Sequence, residues 1–273
     1  MAHRIVYVSD SYQSYVYGFT YPQGSPFGPI ISKDLAQPQG ACVDKAGNIW
    51  VANSGASDII GFSHPAKKPK KILADPGSVP SDCAIDPRTG NLAVANAGNT
   101  GSQNGTVAIY RAASGRPTQY TDASLVRAFF CTYDDRGNLF LDGFTREGFG
   151  LAELPAGRTS FKNIKVQQPI YFPGAVQWDG QYIAVGDQGR SKVYELAIEG
   201  RAATVVGTTR LLHASDVVQF WLVRSGGRAI QLVAPDAADH DVKVYSYPAG
   251  GSPTSTFTGQ NMYEPVGAVV TSD

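Results

Sequence analysis

A phrase that returns five times along the chain, the lack of any long helical periodicity, and half-patterns at both ends predict an all-β ring. The phrase is an apolar stretch, an Asp, a short turn closed by Gly, then an alternating strand that stops near Asn or Asp. Its turn glycines are Gly47, Gly90, Gly137, Gly180 and Gly227, at steps of 43, 47, 43 and 47 residues. Four short strands and their turns fill that length, which is the size of one propeller blade. The expected architecture is a single domain over residues 1–273, a six-bladed β-propeller of four-stranded antiparallel blades.

The copies justify the blades in order. The first runs from Pro38 through Asp44 and Gly47 to Ile49-Trp50-Val51-Ala52-Asn53, and the second from Pro80 through Asp86 and Gly90 to Leu92-Ala93-Val94-Ala95-Asn96. The third runs from Cys131 through Asp134 and Gly137 to Leu139-Phe140-Leu141-Asp142. The fourth, Pro173 to Val185, has a shorter turn, and the fifth, Phe220 to Val233, is degenerate. Most copies continue into two further strand-like pieces, such as Asp58–Phe62 with Lys71–Leu73 and Thr106–Tyr110 with Thr118–Tyr120. The sixth blade is shared: Glu264–Val270 reads as a first strand, Arg4–Asp10 as a second and Tyr15–Phe19 as a third, so the two termini close the ring and leave no open edge. A short helical turn is allowed near Thr121–Val126.

Composition narrows the function classes. Lys plus Arg and Asp plus Glu both number 23, which argues against a nucleic-acid surface. No apolar run is long enough for a membrane span. The run Lys67-Lys68-Pro69-Lys70-Lys71 reads as a solvated edge loop. Low charge content, at 17%, with many Ser, Thr, Gly and Asn residues, fits a monomeric extracytoplasmic bacterial domain, periplasmic or secreted. The start, Met1–Val8, has no apolar leader core and reads directly as strand. Cys42, Cys83 and Cys131 lie in no ligand spacing and read as buried reduced thiols. No HExxH and no GxSxG occurs, which excludes the zinc-hydrolase and α/β-hydrolase motifs.

The register then nominates a working end, where second strands stop and first strands begin. Second strands end at Asp10, Asn53, Asn96, Asp142, Asp187 and Asp236. Such residues either terminate strands and fold their own turns, or form a ring of oxygen groups suited to a hard cation. First strands begin at Gln39, Asp82, Phe129, Phe172, Asp216 and Glu264, with Tyr171 and Tyr263 beside them. Carboxylates gathered there raise one another's pKa or share a cation, and aromatic faces beside acids suit a sugar-like or cationic ligand. Alternatively the aromatics plug the channel. His213 and His240 fall in loops at this end, His240 between Asp239 and Asp241, and are candidates for a general base. His64 is expected at the other end and His3 near a turn. The long loop Ala97–Gly105 is expected to cover the pocket, and Trp50, Trp178 and Trp221 to pack between blades.

At the recurring Asp-x-x-Gly-Asn-hydrophobic pattern the chain resembles the NHL-repeat propellers and, more widely, the gluconolactonase/regucalcin superfamily of six-bladed propellers. That resemblance covers almost the full length. It implies one Ca²⁺ or other divalent cation at the channel mouth, held by a Glu, Asn and Asp set, and hydrolysis of a lactone- or ester-type small molecule. The family Glu stands in a Glu-Gly-Pro stretch, and the nearest match here is Glu264-Pro265-Val266-Gly267. The expected metal group is Glu264, Asp82, Asp216, Asn53, Asn96 and Asp187, with Glu264, Asp216, Asp82, His240 and His213 as catalytic candidates. Gln39, Phe129, Asp142, Tyr171, Phe172, Asp236 and Tyr263 are the expected pocket lining. No organic cofactor is expected. The alternative is a non-catalytic recognition propeller that binds a small molecule, glycan or protein on the same face.

Overall fold

The structure is a computed structural model that describes residues 4–28, 30–65, 68–99 and 104–271. His3 and Lys67, and residues 100–103 of the expected covering loop, lie outside the described residues. Among the described residues twenty-three strands build an all-β, propeller-like ring. The chain opens with β1 (Arg4–Asp10) and β2 (Tyr15–Tyr21). Next come β3 (Pro38–Val43), β4 (Ile49–Asn53), β5 (Asp58–Phe62) and β6 (Pro69–Ala74), then β7 (Ser78–Ile85), β8 (Leu92–Asn99), β9 (Thr106–Tyr110) and β10 (Thr118–Thr121). After them follow β11 (Arg127–Tyr133), β12 (Leu139–Thr145), β13 (Gly148–Leu154) and β14 (Lys162–Val166). The last groups are β15 (Pro173–Trp178), β16 (Ile183–Asp187), β17 (Lys192–Glu199) and β18 (Ala202–Arg210), then β19 (Trp221–Ser225), β20 (Arg228–Asp236), β21 (Asp241–Ser246) and β22 (Ser255–Phe257), and finally β23 (Pro265–Val270).

Consecutive strands pair antiparallel into sheets β3–β6, β7–β10 and β19–β22. Strands β11–β14 and β15–β18 join into one eight-stranded sheet, because the outermost strands β14 and β18 pair in parallel at Lys165↔Ala202 and Val166↔Ala203. The termini share a sheet, β23–β1–β2, with Val6↔Val270 and Val8↔Ala268 in register. That sheet has three strands where four are expected. The chain after β2 returns with only two isolated bridges, Val16↔Ile31 and Phe19↔Pro26, since Pro26 has no N–H to donate and Gly24 and Gly28 turn at positive φ.

Each sheet is buried on both faces, which is why its inner strands are almost continuously apolar. On β1, Ile5 and Tyr7 pack with Ile49, Val51 and Ile60 of one neighbouring sheet, whereas Val6 and Val8 pack with Val233, Val244 and Phe257 of the other. Ile59 and Leu73 meet Leu92 and Val94, and Ala93 and Val107 meet Leu139 and Leu141. The core is thus a set of apolar seams between sheets.

The repeated phrase is a side-chain-built turn between first and second strands. Asp44 Oδ1 accepts the Ala46 and Asn48 amides at 2.9 Å each, and Asp134 Oδ1 accepts Arg136 N at 2.9 Å and Asn138 N at 2.8 Å. The turn glycines Gly47, Gly90, Gly137, Gly180 and Gly227 all stand at φ between +72° and +103°, which excludes most side chains there. Near Thr121–Val126 the chain makes a turn instead of a helix, because Asp122 Oδ1 captures Ser124 N at 2.7 Å. Trp50, Trp178 and Trp221 lie on β4, β15 and β19, and Gly61 leaves the room that the Trp50 ring fills.

The cysteine expectation is corrected. Cys42 on β3 and Cys83 on β7 form a disulfide between neighbouring inner strands, and Cys131 on β11 is free and buried. No sequence spacing reveals the pair: the two residues are 41 apart and meet only because successive first strands line the same channel.

Candidate functional site

Each Asn or Asp near the end of a second strand ties down the chain leading into a first strand or, for Asp142, the bulged first strand itself. Asn53 Oδ1 accepts Ala36 N at 2.6 Å while its Nδ2 donates to Asp34 O at 3.0 Å and Asp58 Oδ1 at 2.7 Å. Asn96 Nδ2 donates to Asp75 Oδ2 at 2.9 Å. Asp142 Oδ1 takes Phe130 N at 3.0 Å, and Asp187 Oδ1 takes Phe172 N at 3.3 Å. Asp10 Oδ2 takes the amides of Tyr263 at 2.6 Å and Glu264 at 3.1 Å, and its Oδ1 takes Gln13 N at 2.9 Å. Asp236 takes Ser215 N at 2.8 Å and Asp216 N at 2.9 Å. All six are buried, and β8 and β12 run three residues past Asn96 and Asp142. One oxygen each of Asn96, Asp142 and Asp187 has no hydrogen-bond partner.

These side chains organise the loops of one end and fix what those loops present. Tyr263 and Tyr12, 53% and 69% exposed, lie with ring centroids 4.3 Å apart, and the His240 ring lies 5.5 Å from Tyr263. His240 Nδ1 meets the Tyr263 carbonyl. Beside them Ser11 Oγ donates to Glu264 Oε2 at 2.6 Å. Burial, and the carboxylates of Asp236 and Glu264, hold Asp216 above the ordinary carboxylate range. His213 is exposed and stands, like His240, at positive φ.

A second aromatic group lies on the β11–β18 side. Phe172 is 6.5 Å from Phe129 and 5.3 Å from Phe144, and Phe129 is 5.6 Å from Phe144. Tyr171 is exposed, with the Arg190 guanidinium 3.8 Å over its ring.

Asp82 belongs to a different place. It is fully buried on β7, where Oδ2 accepts Cys131 N at 3.1 Å and Oδ1 accepts Gln219 Nε2. Gln219 Oε1 in turn accepts Ala268 N at 3.0 Å and Ala41 N at 3.3 Å, so one side chain ties three inner strands together. Ser9 Oγ donates to the Gln39 carbonyl in the same layer. Burial pushes both the Asp82 and Asp142 carboxyls well up, and in Asp142 the nearby Asp82 adds to it. The inner strands are bulged at this height, with register breaks at Pro38/Ala41, Pro80/Asp82, Ala128/Cys131 and Pro173/Val176.

Of the six residues expected to hold a cation, Asn53, Asn96, Asp187 and Asp82 each have hydrogen-bond partners of their own. Among the described residues no group of three or more His, Cys, Asp or Glu side chains is placed to hold a metal ion. Asp216 and Glu264 are brought close, with Asp236 behind them, and His240 and Tyr263 adjoin them. His64 lies by Tyr7, whose hydroxyl is 3.1 Å from its Nδ1, and takes no part in this group.

Sequence reasoning missed Tyr12, Phe144, Arg190, Gln219 and Lys243. Tyr12 and Arg190 carry a readable signal, since each follows a strand-ending Asp by two or three residues. Lys243 Nζ bonds Asp236 at 2.9 Å, Asp239 at 2.7 Å and Asp241 at 2.8 Å while its side chain is 5% exposed. Its position opposite Ala234, two residues along the ladder from the Asp236↔Asp241 pair, emerges only from the pairing register.

No protein-family model matches the chain, and no curated protein matches it. Solved structures do. A nidogen/laminin complex contains a chain at TM-score 0.77 and 12% identity, covering 98% of both chains. A protein of unknown function from Bacteroides caccae covers 100% of both at TM-score 0.73 and 12% identity. A streptogramin B lyase covers 82% of this chain and 72% of its own at TM-score 0.59 and 11% identity. At such identities the likeness is one of fold, and together with the ring of sheets it makes this chain a β-propeller.

Proposed function

We propose that this chain is a six-bladed recognition propeller whose aromatic and acidic end face binds a partner through a cationic group. The observation that carries the reading is the exposed Tyr12–Tyr263 pair beside Glu264 and Asp216. A cation seated there gains from an exposed ring face and from the carboxylates of Glu264 and Asp216, the latter raised by burial and by its acidic neighbours. Exposed aromatics grouped at one end of a molecule mark interaction surfaces. Phe172, Tyr171 and Leu212 extend the exposed area on neighbouring loops.

Six blades are supported by the inner strands, which neighbour one another in the order β23, β3, β7, β11, β15, β19 and back to β23. The β14–β18 pairing then joins the outer edges of two blades without merging their cores. The Cys42–Cys83 disulfide supports an oxidising, extracytoplasmic setting.

The test is a titration with lysine-rich and glutamate-rich peptides of equal length. The reading expects saturable binding of the lysine-rich peptide alone, weakened about tenfold or more in Tyr263→Ala and in Glu264→Gln. Equal binding of both peptides, or neither, overturns it.

A second reading, hydrolysis of a lactone or ester, is favoured by one specific feature. Burial, with the carboxylates of Asp236 and Glu264, raises the Asp216 carboxyl, and the His240 imidazole stands at the same face beside Tyr263, so two groups able to exchange protons are present there. The residues present do not fit a cation site of three or more such ligands, and no step is drawn through one. Turnover on a lactone and ester panel, abolished in Asp216→Asn, distinguishes it.

A further inference from the structure

We propose that the cleft between the β7–β10 and β11–β14 sheets, on the end away from the aromatic face, binds a small molecule carrying two or more phosphate or sulfate groups. The cleft has a volume of about 550 Å³ and is lined by three arginines, Arg88, Arg136 and Arg158. That volume lies within the range of small-molecule sites.

The arginines are exposed, and among the described residues none has a carboxylate partner. Among the described residues the ion pairs are made by Lys162, Arg224 and Lys243. Arg88 Nη1 donates to the Arg136 carbonyl at 2.8 Å, which holds one guanidinium across the mouth toward the next sheet. Its remaining N–H groups stay available in the fork geometry that matches phosphate and sulfate oxygens.

One carboxylate lines the cleft, that of Asp86, and it is already engaged. Its Oδ1 accepts Arg88 N at 2.8 Å and its Oδ2 accepts the Thr89 hydroxyl. Three guanidinium charges therefore face one carboxylate. An incoming polyanion satisfies donors that otherwise repel one another.

The wall supplies an independent sign. Tyr133 is 9% exposed, lines the cleft, and makes no hydrogen bond to any described residue. Burial raises its phenol, so it stays a neutral donor. The Tyr133 hydroxyl can donate to a ligand oxygen in the cleft. Tyr120 adds a second aromatic surface for a ring-shaped ligand.

The experiment is calorimetric titration of the full chain with inositol hexakisphosphate, a sulfated heparin disaccharide, and inorganic phosphate. The expected result is one saturable site for at least one polyanion, tighter than for inorganic phosphate and weaker as salt is raised. Arg136→Gln with Arg158→Gln should weaken it about tenfold or more, and Tyr133→Phe should weaken it at unchanged melting temperature. Arg146→Gln, an exposed arginine on the β12–β13 turn at the other end, serves as the charge control. A preference for phosphate or for sulfate identifies the source of the ligand. Absence of saturable binding for both polyanions, a double variant that binds as well as the parent, or an equal loss in Arg146→Gln overturns the proposal. This site and the aromatic face share no residue, so failure of either leaves the other standing.

Discussion

Asp236 concentrates what a strand-ending acid does in this molecule. It is fully buried, yet it accepts two backbone amides from the loop ahead of β19 and an ammonium from Lys243. Burial alone would raise its pKa. The Ser215 amide, the Lys243 ammonium and the Asp216 amide outweigh that and hold it below the usual carboxylate range. Replacing it leaves a buried lysine with two acids at the edge and frees three amides, those of Ser215, Asp216 and Asp239, so Asp236→Ala should cost about 3–5 kcal/mol in urea unfolding. The sign with pH follows from linkage. A depressed folded pKa gives stability that is present above the unfolded value of about 3.9 and lost as pH falls through the folded value. Parent stability should therefore drop below about pH 4 more steeply than that of Asp236→Asn. The sequence shows that Asn or Asp stands at each such position, but two uses fit it equally. The amides that decide between them come from residues as far away as Tyr263 is from Asp10, and only folding brings them together.

The same holds among elements, where the alternating apolar strands and the Asp-x-x-Gly turns are legible because their causes are local. Strand pleat and side-chain-built turns need only neighbouring residues. Contacts between inner strands are not local, which is why the Cys42–Cys83 pair reads as two thiols in the sequence. It bridges β3 and β7 across 41 residues, and closing a loop of that size contributes about 4 kcal/mol on a chain-entropy account. Unfolded under non-reducing conditions, the chain should show one reactive thiol, from Cys131. Reductant should lower the melting temperature, and Cys131→Ser should leave that response intact. Three thiols in the unreduced chain would show that the bridge does not form. The three-stranded terminal sheet was equally hidden. Its expected fourth strand is replaced by a Pro- and Gly-bearing return whose two bridges follow no repeat.

For the molecule as a whole, the ring closes through β23 against β1. An added Cβ at Gly267 would lie 2.5 Å from Gln39 O and 2.6 Å from Ser9 Oγ, so glycine is what lets the closing strand reach the axis. Gln219 and Asp82 are bonded to each other, and Gln219 bonds the closing strand at Ala268. Repeat spacing made the propeller legible. It could not tell that one buried glutamine, outside every repeat, would bond Asp82. The account thus assigns the Asn and Asp ring to holding loops in place, and the end face to recognition. The most direct check is the melting temperature of EDTA-treated protein with and without calcium, magnesium, manganese and zinc. A cation bound only by the folded chain would add about 2.7 kcal/mol at a hundredfold excess over its dissociation constant. The account expects no divalent cation to shift the midpoint. A rise selective for calcium, lost in Glu264→Gln or Asp216→Asn, would contradict it and place a metal centre on the face.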